Sequence, residues 1–149
     1  MKPTERLHEL GQSLWLDNIT RTMLGDGTLR RYRDEHSITG LTSNPTIFDK
    51  AISDSDAYDD SIREHRGAGL AGEQLFFELA LEDLREAADL FRDVHERTDG
   101  VDGWVSIEVS PLLADDAAAT IEQVQTLHGH GGRPNLFVKI PGTEAGNEA

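Results

Sequence analysis

The chain has 149 residues, and 28 Asp+Glu against 14 Lys+Arg give a formal net charge of −14. That length predicts one domain with a real core, and the charge disfavours nucleic acid or an anionic membrane as partner, because phosphates would be repelled. The absence of cysteine excludes disulfides, thiol catalysis and Cys-based metal sites; with no long apolar run and no apolar signal core in residues 1–11, a cytoplasmic globular protein is expected.

Four short apolar runs alternate with longer helical stretches. The first is Ser13-Leu14-Trp15-Leu16-Asp17-Asn18-Ile19. Residues 22–35 follow as a helix carrying Leu24, Leu29 and Tyr32, weakened in its first half by Gly25 and Gly27. The second run, Ile38-Thr39-Gly40-Leu41-Thr42-Ser43-Asn44, is closed by Pro45. Residues 48–66 read as a helical insertion. Residues 74–97 predict a long amphipathic helix, with Phe76, Ala80, Leu84, Ala87, Phe91 and Val94 at spacings of three and four.

The third run, Trp104-Val105-Ser106-Ile107-Glu108-Val109, is closed by Ser110-Pro111. A helix over residues 114–127 follows, with Ala118, Ile121 and Val124 inward and Gly129 as its stop. The fourth run, Asn135-Leu136-Phe137-Val138-Lys139-Ile140, is closed by Pro141-Gly142, and residues 144–149 open another helix. Each run has strand length, and Pro closes three of the four. This alternation predicts a parallel α/β architecture, strand order 1-2-3-4, with helices outside. The runs show no clean polar/apolar alternation, which suggests strands covered on both sides.

Several motifs fail on their context. Gly67-Ala68-Gly69-Leu70-Ala71-Gly72 fits G-x-G-x-x-G, but no strand precedes it, so a helix–helix connection is expected rather than a dinucleotide site. Asp54, Asp56, Asp59 and Asp60 lack the Gly and Glu that a calcium loop needs and predict a solvated acidic surface. His128 and His130 have no companion ligand at suitable spacing and predict a loop, so no metal site is expected.

The strand ends carry the chemistry. The only lysines are Lys2, Lys50 and Lys139, and Lys139 falls inside the fourth apolar run. Burial there would disfavour the ammonium and leave an amine able to form a Schiff base; no other lysine is expected to be placed to replace it. Asp17 ends the first run, Asn44 the second, and Glu108 sits in the third. In a parallel barrel such positions converge at the C-terminal face.

Trp15-Leu16-Asp17-Asn18, Gly40-Leu41-Thr42-Ser43-Asn44-Pro45, Val105-Ser106-Ile107-Glu108-Val109 and Val138-Lys139-Ile140-Pro141-Gly142-Thr143 resemble, in order, the strand motifs of bacterial transaldolases. The resemblance implies a Schiff-base enzyme on a (β/α)8 TIM barrel, with no metal or organic cofactor. It also implies transfer of a dihydroxyacetone unit from sedoheptulose 7-phosphate to glyceraldehyde 3-phosphate in the pentose phosphate pathway. By position it makes Lys139 the Schiff-base lysine, Asp17 the acid/base for C–C cleavage, and Glu108 the carboxylate acting through water. Asn44 and Thr42 become residues lining the dihydroxyacetone pocket.

Such a barrel typically takes ~250 residues. Residues 1–149 are therefore expected to form its first half, truncated after the fourth strand and lacking the phosphate-gripping residues; Arg133 lies at the wrong end. Two alternatives stand beside this reading: a fructose 6-phosphate aldolase-like enzyme, or a non-catalytic half-barrel that associates through its open strands. The isolated chain is expected to self-associate or fold marginally, with little activity.

Overall fold

The computed structural model describes residues 1–149. Strands β1 (Leu14–Asp17), β2 (Ile38–Thr42), β3 (Val105–Glu108) and β4 (Leu136–Lys139) form one sheet. Every pairing is parallel, and the order is β1-β2-β3-β4. The helices are α1 (Pro3–Glu9), α2 (Arg21–Gly25), α3 (Thr28–His36), α4 (Pro45–Ser53), α5 (Asp59–Gly67), α6 (Gly72–Arg97), α7 (Ala117–Gly131) and α8 (Glu144–Glu148).

Successive strand side chains point to opposite faces, and here the two faces differ sharply. Leu41, Val105, Ile107 and Leu136 are buried in one cluster with Leu81, Leu84, Ala87, Ala88 and Phe91 of α6. The opposite face carries Trp15, Asp17, Thr42, Trp104, Ser106, Phe137 and Lys139. It is uncovered: Trp15 stays 37% and Phe137 43% exposed. The expectation of strands covered on both sides is therefore corrected. Trp15, Trp104 and Phe137 on that second face mask the alternation in the sequence.

Those aromatics form a floor. Phe137 stacks on Trp104 with ring centroids 3.8 Å apart, and on Trp15 at 6.5 Å. Gly40, paired in register with Trp15, leaves room for the indole: a Cβ there would lie 2.6 Å from a ring carbon.

Three helix expectations also change. Residues 22–35 form two helices, because Gly27 takes a left-handed conformation (φ +78°) between α2 and α3. The helix predicted over 114–127 begins only after the Asp116 cap and runs to Gly131, so His128 and His130 lie on its last turn rather than in a loop. Its buried face is Thr120, Leu127 and Gly131, while Ala118 and Ile121 are exposed. Helix α7 approaches β4 so closely at Gly131 that any Cβ would collide with Leu136. The glycine-rich segment does connect two helices, since α5 ends at Gly67 and α6 starts at Gly72. Asp54, Asp56, Asp59 and Asp60 are all exposed.

A buried polar cluster anchors the segment that follows β1. Arg21, at the start of α2, donates from Nε to Asp83 (2.8 Å), and from its terminal nitrogens to Glu82 and Ser61 (2.7 Å each). Tyr58 donates to Asp83 at 2.6 Å and accepts from the Arg21 backbone N–H. His65 bonds Glu82 at 2.7 Å. Burial pushes the Asp83 carboxyl up, although the Tyr58 and Arg21 bonds favour its charge. Burial, and then Asp83, drive the Tyr58 phenol well above its ordinary value. For Arg21, burial opposes the charge, but bonds to Asp83 and Glu82 prevail and raise it.

Candidate functional site

The C-terminal ends of the four strands open into a cavity of about 700 Å³. Asp17, Asn44, Glu108 and Lys139 all line it, one from the end of each strand, together with Lys50, Pro111 and Pro141. Each position has a local cause. Asp17 is the last residue of β1, paired in register with Thr42, and its exposed carboxylate makes no hydrogen bond or ion pair within the chain. Asn44 caps α4, its side-chain oxygen accepting from Ile47 N–H at 3.0 Å, with Pro45 at the first helical position where no N–H is missed. Its amide nitrogen keeps its hydrogens for another acceptor.

Glu108 and Lys139 are aligned partners on β3 and β4, and Lys139 Nζ lies 2.7 Å from Glu108 Oε1. Nζ also donates to Thr42 Oγ1 at 3.0 Å, and Thr42 Oγ1 accepts from Ser106 Oγ at 3.0 Å. The expectation of a buried Lys139 does not hold. Its side chain is 38% exposed and that of Glu108 34%, because the strand face carrying them is open. A half-exposed amine beside a carboxylate can exchange protons with it and with water while remaining accessible to a carbonyl.

Sequence reasoning missed two residues here. Lys50 shares the cavity wall, so Lys139 is not the only lysine near the site; the helix start at Pro45 puts Lys50 within two turns of the strand end. Ser106 lies two residues before Glu108, hence on the same strand face, and that period was the available signal. Arg133, as expected, is away from the cavity, in a two-pronged pair with Asp89 at 2.7 and 2.9 Å. No three His, Asp or Glu side chains group in a way that could hold a metal ion, and no helix is long and apolar enough to cross a membrane.

The transaldolase/fructose-6-phosphate aldolase family model matches residues 14–149. Among curated relatives, a transaldolase of Kocuria rhizophila is 42% identical over 144 residues, 97% of this chain and 39% of that protein. A transaldolase of an Arthrobacter species is 44% identical over 147 residues, 99% of this chain and 40% of its own. One from Thiobacillus denitrificans is 42% identical over all 149 residues, 42% of its length. The chain thus spans about two-fifths of these relatives.

Proposed function

The chain belongs to the transaldolase/fructose-6-phosphate aldolase family, and we propose that residues 1–149 are the first half of a (β/α)8 barrel carrying the Schiff-base machinery of a transaldolase. The observation that carries this is the Lys139–Glu108 pair at 2.7 Å, in a cavity that Asp17 and Asn44 also line.

The chemistry follows from these groups. The Lys139 amine attacks the C2 carbonyl of a ketose phosphate such as sedoheptulose 7-phosphate. Glu108, through a water, supplies the proton with which the carbinolamine hydroxyl leaves as water, giving a protonated imine. Asp17 takes the C4 hydroxyl proton; the C3–C4 bond breaks, and its electron pair moves into the imine to form an enamine. An aldose phosphate departs. The enamine then attacks the aldehyde of glyceraldehyde 3-phosphate while Asp17 returns the proton. Hydrolysis of the new imine frees Lys139. Asn44 and Thr42 bind the dihydroxyacetone hydroxyls. Sugar phosphates are then the partners, and the cytoplasm the place of action. The uncovered face and the unpaired edges of β1 and β4 favour self-association of the 149-residue chain.

Borohydride trapping with sedoheptulose 7-phosphate tests the reading. Before cleavage the reduced adduct carries the whole sugar phosphate; after cleavage it carries only the three-carbon unit. Wild type should give three-carbon adduct, and Asp17→Ala should retain the uncleaved one. Equal loss of both adducts in Asp17→Ala would refute the role of Asp17, and no adduct in wild type would refute the reading.

A further inference from the structure

Lys139 does not reach only its neighbour on β3. Its Nζ crosses β3 and bonds Thr42 on β2, one strand further across the sheet. The residue beneath that crossing is Ser106, paired in register with Thr42 and 1% exposed. Its side chain is small enough to let the lysine pass, and its hydroxyl bonds Thr42 Oγ1 at 3.0 Å. Its own backbone is held in turn: the Ser106 carbonyl accepts from buried Ser43 Oγ at 2.7 Å.

We propose that Ser106 is a positioning residue for the Lys139 amine, acting through Thr42. The proposal rests on Lys139 being the imine-forming group. An imine nitrogen carries at most one hydrogen, so the reaction forces Nζ to give up one of its two partners. Thr42, fixed from behind by Ser106, keeps the nitrogen in place while Glu108 is released to move protons. A bare packing role for Ser106 would not involve Thr42 at all.

The test uses dihydroxyacetone with cyanoborohydride and follows the adduct on Lys139 by mass spectrometry; acetaldehyde serves as a position-insensitive probe of the same amine. Wild type, Ser106→Ala, Thr42→Val and the double variant are compared. Ser106→Ala should lower the saturating trapping rate about three- to ten-fold, the range for one net hydrogen bond. The acetaldehyde rate should not change. The double variant should be no slower than Thr42→Val alone, because the two act in series. If Ser106→Ala loses its fold by circular dichroism, Ser106→Cys keeps the volume with only a weak donor and should behave the same way. Additive losses, or an unchanged rate in a folded Ser106 variant, overturn the proposal while leaving the Lys139 reading intact. Acetaldehyde modification without any dihydroxyacetone adduct in wild type overturns both.

Discussion

Replacing Asp83 by Ala removes the centre of the buried cluster behind β1. Asp83 is 2% exposed and accepts two hydrogen bonds, from Arg21 Nε and Tyr58 Oη. The charged bond is worth about 1.5–3 kcal/mol, and a buried phenol left without its acceptor costs about 1–3 kcal/mol more. Two features hold the sum down. Burial already penalises the Asp83 charge, and Arg21 keeps Glu82 and Ser61. The expected loss is about 3 kcal/mol, the lower end for breaking a buried pair. At about 2–4 °C per kcal/mol for a chain of this size, Tm should fall about 6–12 °C, read by circular dichroism at one fixed protein concentration. Tyr58→Phe should soften the Asp83→Ala effect by removing the stranded donor. A loss under about 1 kcal/mol, or full additivity of the two changes, would refute this account of the cluster.

Two other outcomes follow from the same structure. Gly40→Ala drives a methyl into the Trp15 ring; overpacking of this kind costs about 1–3 kcal/mol, and tryptophan fluorescence should change as the indole moves, whereas an unchanged spectrum and stability would contradict the described floor. Acid should destabilise through Asp34 and Asp89, whose carboxyls the adjacent Arg33 and Arg133 hold below the usual range: their contribution is present above the unfolded value and is lost as pH falls below about 4. Urea midpoints against pH should show this loss, and high salt should flatten it, since both pairs are solvent-facing. Asp83, raised by burial, acts in the opposite sense, its contribution being lost as pH rises through its elevated value, so Asp83→Asn removes that opposing slope.

The order and direction of the strands were legible because each apolar run is short and separated by helical stretches, and three of the four are closed by proline. The period of three and four between Ala80 and Val94 likewise marked the buried face of α6. On α7 the same reasoning placed Val124 correctly against the core but put Ala118 and Ile121, which are exposed, on the buried face. Its alanines, Ala117, Ala118 and Ala119, are confined to the first turn, and at its other end Gly131 approaches Leu136 closely, a tertiary contact with no local signature. The site was legible as residue types at strand ends, since one-per-strand placement of Asp17, Asn44, Glu108 and Lys139 depends only on topology. The exposure of Lys139 was not, because it depends on what covers the inner face. Nor was the lean of its amine onto Thr42, which depends on the size of Ser106 on the strand between.

Peptide mapping of the borohydride-trapped ketose adduct tests the central claim most directly, because two lysines line the cavity and only one is paired with Glu108 and Thr42. The adduct should sit on Lys139, persist in Lys50→Ala and disappear in Lys139→Ala. An adduct on Lys50, or trapping that survives Lys139→Ala, would contradict the account.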